Sequence, residues 1–365
     1  MKLLHTADLH LDSECTAHFT KEQAKQRRNE LLHTFTRLVD YAADVHAAAI
    51  LISGDLFDKK TVSKTAANTV YQAVKQHPGI LFFYLRGNHD AKGFLELFDE
   101  LPGNLKLFTE EWRSYPIGDG SVVVTGVEVS KFHPEIYDAL ALQPEKINLV
   151  MMHGQEVPGG GKNDAEVIRL KELRNRNIDY LALGHVHGYK KAELDARGVY
   201  VYPGCPEGRG FDECGEKGFV LIDIDETDRS VDSYFVPFAA KQLYSVRTDI
   251  SDTGDTAEII AAVKETLALG RVPDGAFVKV TLTGSFDAED EKNVGFIEES
   301  FRDRYGVFRI KDESSLHVDY RRYEGDVSLK GEFIRLVESS DLSAERMAAV
   351  IRTGLQALRG EGVQA

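Results

Sequence analysis

A set of short strings in this chain carries side chains that bind divalent cations: Asp8-x-His10, Gly54-Asp55, Gly87-Asn88-His89-Asp90, His153-Gly154 and Gly184-His185-x-His187. Carboxylate, imidazole and amide donors suit Mn²⁺, Fe²⁺ or Zn²⁺, and the absence of cysteine argues against a structural zinc site. Should these segments meet, a pair of ions would each receive roughly four protein ligands, with Asp55 as the bridge because a carboxylate has two oxygens. One ion is then assigned Asp8, His10, Asp55 and His187, the other Asp55, Asn88, His153 and His185. On an extended segment residues i and i+2 point the same way. Asp8 and His10 are therefore expected to grip one ion, and His185 and His187 to divide between two. Gly54, Gly87 and Gly184 are expected to allow sharp turns and a close backbone approach.

Such a pair of ions suits phosphoester hydrolysis. Two ions a few Å apart acidify a shared water, clamp phosphate oxygens and hold the attacking hydroxide in line. No serine or cysteine nucleophile is then needed. His89, beside Asn88, is expected to stabilise the transition state and protonate the leaving oxygen, since imidazole titrates near neutrality. Asp58 or Asp90 is expected to orient histidines from behind; Asp90 reads equally well as a helix N-cap. Lys59, Lys60 and Arg209 are candidate substrate-phosphate contacts at the same rim. The pairs Arg27-Arg28, Lys190-Lys191 and Arg321-Arg322 read as solvated surface. Val157–Lys162 is glycine-rich, but no Ser or Thr follows Lys162, so it reads as a mobile loop beside His153 rather than a nucleotide loop.

The elements that must position these groups alternate strand and helix. Apolar runs at Lys2–Leu4, Ala48–Ser53, Ile80–Leu85, Ser121–Val127, Ile147–Met152, Tyr180–Leu183, Val199–Tyr202 and Gly218–Ile224 read as strands, with helices over about 20–47 and 62–76. Most of the candidate ligands follow a strand end, where layered α/β folds gather ligands. From about residue 240 the texture changes to β-α-β-α-β-β, a compact α+β unit over 240–325 after a first domain of 1–239. Residues 326–365 carry amphipathic helices. One stripe is Leu329, Phe333, Leu336 and Val337; the other is Met347, Val350, Ile351, Leu355 and Leu358, with Ser343 as N-cap. These stripes fit either the chain's own core or a partner-binding tail.

The ligand set resembles the calcineurin-like metallophosphoesterase superfamily. The opening His5-Thr6-Ala7-Asp8-Leu9-His10-Leu11-Asp12 and the string Ser53-Gly54-Asp55-Leu56-Phe57-Asp58 resemble, within it, the SbcD-like nuclease subunits of SbcCD-type and MRN-type DNA-repair complexes. The stretch Tyr202–Gly210 resembles a shorter bacterial branch of these nucleases. The resemblance implies an α/β fold: a two-sheet metallophosphoesterase sandwich with metals at one edge, a small α+β capping domain that helps position DNA, and C-terminal helices that bind an SMC-like (SbcC-like) ATPase. It also implies a possible homodimer through helices near 64–77 and 93–100. Some members place a second histidine shortly after the Gly-Asp pair. This chain has Asp58 there, as SbcD-type members do, so that histidine's role does not transfer.

Composition sets the outer bounds. The 365 residues are 42% hydrophobic, enough for a packed core, and carry a formal net charge of −15. That acidity sits awkwardly with DNA unless bound ions or a local basic stripe offset it. The three cysteines show no CxxC spacing and fit a reducing compartment. No apolar run approaches the roughly 20 residues that span a bilayer, and the polar N-terminus is unlike a signal-peptide core, so a cytoplasmic protein is expected. The leading expectation is a manganese-dependent DNA exonuclease or endonuclease acting in repair beside an SMC-like ATPase. The alternatives are a phosphoesterase acting on nucleotides or phosphoproteins, and a metal-carrying scaffold for the ATPase.

Overall fold

The structure, a computed structural model, describes residues 1–15, 19–58, 62–90, 97–129, 135–157 and 166–358. Lys59, Lys60, most of the 157–162 loop and part of the 93–100 segment lie outside the described residues. Two compact units are present, Met1–Gln242 and Leu243–Ala365.

The first unit begins with β1 (Lys2–Thr6), α1 (Lys21–Asp44), β2 (Ala49–Ser53), α2 (Lys64–Gln76), β3 (Leu81–Leu85), β4 (Leu105–Leu107), β5 (Arg113–Ile117), β6 (Val122–Gly126), α3 (Glu135–Asp138) and β7 (Ile147–His153). It continues with β8 (Gln155–Val157), β9 (Val167–Arg169), α4 (Leu170–Leu173), β10 (Tyr180–Gly184), β11 (Lys190–Glu193), β12 (Val199–Tyr202), β13 (Gly218–Asp225) and β14 (Ser230–Pro237). One six-stranded sheet runs β14-β13-β1-β2-β3-β4 and the other β11-β12-β10-β7-β6-β5. The expected two-sheet α/β sandwich is therefore present.

Period-two alternation explains the near-continuous apolar runs. In β2, Ala49 and Leu51 join the core between the sheets, while Ile50 and Ile52 face Leu31, Phe35, Leu38 and Val70 of the helices. In β7, Leu149 and Met151 face the other sheet, while Val150 and Met152 belong to the core on the outer face. Strands buried on both faces have no polar side, and each such aliphatic contributes about 1.5–3 kcal/mol on burial. The strands missing from the sequence reading are short or lie at edges. Arg113–Ile117 carries Pro116 on an edge, where no ladder donor is needed. Ser230–Pro237 is an edge strand with one largely exposed face.

Helix α1 opens with a capping box between Thr20 and Gln23. Its buried stripe is Ala24, Arg27, Leu31, Thr34, Phe35 and Leu38. Arg27 is thus a core residue, not part of a solvated pair. It lies four residues before Leu31, on the buried face, and its guanidinium meets Glu207 at 2.7 Å and Glu30 at 2.7 Å.

The second unit contains β15 (Leu243–Asp249), α5 (Thr256–Leu269), β16 (Phe277–Thr283), β17 (Ser285–Asp287), α6 (Val294–Ser300), β18 (Val307–Asp312), β19 (Ser315–His317), α7 (Leu329–Glu338) and α8 (Ala344–Leu358). Strands β15, β16 and β18 form a parallel sheet, and β17 pairs with β19. The short β17 is an addition to the β-α-β-α-β-β order. The C-terminal helices pack within this unit. Ile334, Val337, Ile351 and Leu355 are buried with Tyr323, whereas Leu329, Leu336, Val350 and Leu358 stay exposed. Among the described residues no helix is long and apolar enough to cross a membrane.

Candidate metal centre

The parallel register brings the strand ends to one rim. Thr6 pairs with Ile52, Ser53 with Leu85, and Gly184 with His153. Asp8, Asp55 and Asn88 follow β1, β2 and β3; His153 ends β7; His185 and His187 follow β10. The sheets are stitched together here. His153 Nδ1 donates to the Ser53 carbonyl at 2.9 Å, and the His185 N–H donates to Asp8 at 2.8 Å.

The ligand segments are not extended. Asp8 (φ 52), His10 (φ 46) and Asp55 (φ 51) are left-handed, and His185 has φ 105. The D-x-H spacing therefore converges through alternating left-handed turns rather than through strand pleat, which corrects the sequence argument. Left-handed backbone costs non-glycine residues roughly 1–2 kcal/mol each, and such strain persists where surrounding structure fixes it. Here Asp8 N–H donates to the Gly54 carbonyl at 3.1 Å and His10 N–H to the Asp55 carbonyl at 2.9 Å. Glycine is required beside them for space. A Cβ on Gly184 would sit 1.9 Å from the Ser53 carbonyl oxygen, and one on Gly87 2.1 Å from Asp55 Oδ1.

At the centre, Asp55 Oδ2 lies 3.7 Å from His10 Nε2 and 3.4 Å from His153 Nε2. Its Oδ1 accepts the His89 N–H at 2.9 Å. One carboxylate oxygen thus stands between histidines of the two proposed sites, as a bridging ligand must. His10 Nε2 and His187 Nε2 face each other at 3.1 Å, and Asp8 completes a cluster with them. On the other side Asn88 Oδ1 is 3.0 Å from His153 Nε2. Asp8, Asp55 and His153 form a second cluster, so Asp8 approaches both groups. His185 stacks edge-on against His153 with ring centroids 5.4 Å apart, outside these two clusters and outside a third formed by His10, Asp58 and His89.

Behind these atoms lies a row of carboxylates. His10 Nδ1 meets Asp58 Oδ1 at 3.1 Å and His187 Nδ1 meets Glu213 Oε1 at 2.7 Å. Asp58 Oδ1 also receives His89 Nδ1 at 3.0 Å. Asp58 accordingly orients histidines. Asp90 instead accepts backbone N–H from Gly87 at 2.9 Å, Leu56 at 3.2 Å and Phe57 at 2.7 Å, so it ties the two ligand loops together. Arg209 is ion-paired with Glu213 at 2.7 Å and Asp58 at 3.3 Å. Glu213 was not singled out from sequence; its only signal is the i,i+4 relation to Arg209.

The charge pattern fits divalent ions. An ionised carboxylate only accepts, so both Nδ1 atoms carry protons and both Nε2 lone pairs are directed into the 3.1 Å gap. A cation resolves that opposition; a second proton on one ring does so in its absence. Burial pushes His10 below its ordinary range. Burial acts the same way on His187, but the Glu213 contact outweighs it and raises that ring. Burial also opposes protonated His153, yet Asp55 raises it to about 9. Burial would raise Asp55, yet His153 and His10 hold it at about 2. Burial raises Asp8 and pushes Asp90 up to about 7. Oxygen and imidazole donors backed by carboxylates are the arrangement that holds a metal and fixes its ligands' orientation.

The calcineurin-like phosphoesterase family matches residues 1–189. The chain belongs to this family. The family is one of phosphoesterases that use divalent metal. It is 26% identical over 246 residues, 63% of this chain and 59% of that protein, to the uncharacterized metallophosphoesterase YhaO of Bacillus subtilis strain 168. It is 23% identical over 303 residues, 79% of this chain and 46% of that protein, to the DNA double-strand break repair protein Mre11 of Methanosarcina acetivorans. The chain thus spans about half the length of these curated relatives. It is also similar to the solved structure of TT1561 of Thermus thermophilus, at 15% identity over 64% of this chain and 98% of that one, with a TM-score of 0.39.

Proposed function

We propose that this calcineurin-like phosphoesterase is a DNA nuclease that hydrolyses phosphodiester bonds with a pair of manganese ions, acting in repair beside an SMC-like ATPase in the cytoplasm. The observation that carries the two-metal reading is Asp55 Oδ2 between His10 Nε2 and His153 Nε2. The choice of DNA is supported by relatives named as DNA double-strand break repair proteins.

When bound, the ions supply an acidified water and charge for the phosphate oxygens. Asp8, His10, Asp55 and His187 would hold one, and Asp55, Asn88, His153 and His185 the other. The remaining work belongs to the chain. Asp58 fixes the His89 ring through Nδ1, and the His89 side chain is 46% exposed, so its Nε2 is available to protonate a leaving oxygen. Asp58 and Glu213 fix the tautomers of His10 and His187. The exposed Leu329, Leu336, Val350 and Leu358 support an ATPase-binding role for the C-terminal helices.

The net charge of −15 favours a second reading, a phosphoesterase of nucleotides or phosphoproteins. Incubation with Mn²⁺ and labelled duplex DNA, bis(p-nitrophenyl) phosphate or p-nitrophenyl phosphate separates the two. Cleavage of DNA and the diester is expected; turnover of the monoester alone would sustain the second reading.

A further inference from the structure

The Arg209 guanidinium touches both carboxylates that back the facing histidines. Its Nε and Nη2 donate to Glu213 Oε1 at 3.0 and 2.7 Å, and its backbone N–H donates to Glu213 Oε2 at 2.7 Å. Its Nη1 lies 3.3 Å from Asp58 Oδ1. The Arg209 and Asp58 side chains are each 19% exposed and that of Glu213 only 4%, so this is not a solvated pair of the kind that contributes little. The loop carrying Arg209 is itself pinned. Arg27 Nε donates to the Gly208 carbonyl at 3.0 Å, and Glu207 accepts from Arg27 Nη2 at 2.7 Å and Thr34 Oγ1 at 2.9 Å.

We propose that Arg209 is a positioning residue that spaces Asp58 and Glu213 so that His10 and His187 present their Nε2 atoms to a single ion. Asp8, Asp55, Asp58 and Glu213 crowd one rim, and Asp58 and Glu213 would repel each other without a shared cation. A forked guanidinium holds two carboxylates at a fixed separation; an ammonium offers a single point of charge. Arg209 therefore acts on the ion through Asp58–His10 and Glu213–His187. The sequence had suggested a direct phosphate contact.

The inference rests on the metal-dependent reading, so the test separates the two. Mn²⁺ binding to the full chain is measured by titration calorimetry for wild type, Arg209→Gln and Arg209→Lys, alongside kinetics on bis(p-nitrophenyl) phosphate. Wild type is expected to bind Mn²⁺ and turn the diester over. Arg209→Gln should bind Mn²⁺ up to about 10-fold more weakly, the lower end of the loss when a ligand's own supporting partner is removed, with Arg209→Lys between. At saturating Mn²⁺ the diester KM should stay near wild type. Unchanged Mn²⁺ affinity with a raised KM makes Arg209 a substrate contact and overturns the proposal. If Arg209→Gln does not fold, wild-type affinity in Arg209→Lys overturns it. Failure of wild type itself to bind Mn²⁺ removes the underlying reading instead.

Discussion

His10 and His187 present their Nε2 atoms to each other across 3.1 Å, while Asp58 and Glu213 occupy the opposite nitrogen of each ring. Two imidazoles so constrained have one way to face each other without a proton, which is around a cation. The following outcomes are expected of a site built on that arrangement.

Asp55→Ala removes the oxygen that lies between His10 and His153. Binding of both ions should weaken by more than about 100-fold, beyond the usual loss for a supporting residue, and hydrolysis should nearly vanish. Calorimetry reads the first and a diester assay the second. Near-normal hydrolysis would remove Asp55 from the bridging position.

His89→Ala should leave Mn²⁺ binding intact, because Asp55 accepts the His89 backbone N–H, which alanine keeps. Turnover should drop by roughly 10²–10⁴, the usual contribution of a positioned acid or base. Lost metal instead of lost turnover would contradict its role as proton donor.

His153 gives the metal-free protein a pH dependence of known sign. Its folded-state value is raised from 6.5 to about 9, so protonation stabilises the fold. That contribution is complete below about 6.5 and disappears as pH rises through about 9. Melting temperatures of the metal-free chain should fall across this window, and fall less in His153→Gln. Parallel profiles would show that His153 does not carry the effect.

Gly184→Ala and Gly188→Ala should differ sharply although they flank the same histidines. At position 184 the new methyl would meet the Ser53 carbonyl at 1.9 Å, whereas at 188 nothing lies within 4 Å. Overpacking of this kind costs about 1–3 kcal/mol or more, and an open surface position stays within about 0.5 kcal/mol. Denaturant unfolding of both variants measures the contrast.

The strand ends and ligand types were legible because buried parallel strands read as apolar runs, and an Asp, Asn or His close behind one stands out. The backbone at those ends was not legible. Asp8 and His10 converge through left-handed turns held by Gly54 and Asp55 carbonyls, a tertiary constraint that i, i+2 spacing cannot express. Support for the ligands was half visible. Asp58 lies close to Asp55 in sequence, but Glu213 reaches His187 across 26 residues through a folded loop. Arg27 is legible as a core residue from its place in the α1 stripe between Ala24 and Leu31, a periodicity that its charge masks. Edge strands such as Ser230–Pro237 lacked a clean signal because Ser233 takes a buried position and Tyr234 an exposed one, which breaks the apolar–polar alternation of a half-buried strand.

Anomalous diffraction from Mn²⁺-loaded crystals tests the shared carboxylate most directly. Two manganese peaks are expected, one beside Asp8, His10 and His187 and one beside Asn88 and His153, with Asp55 between them. A single peak, or peaks that leave Asp55 without contact, would contradict the account.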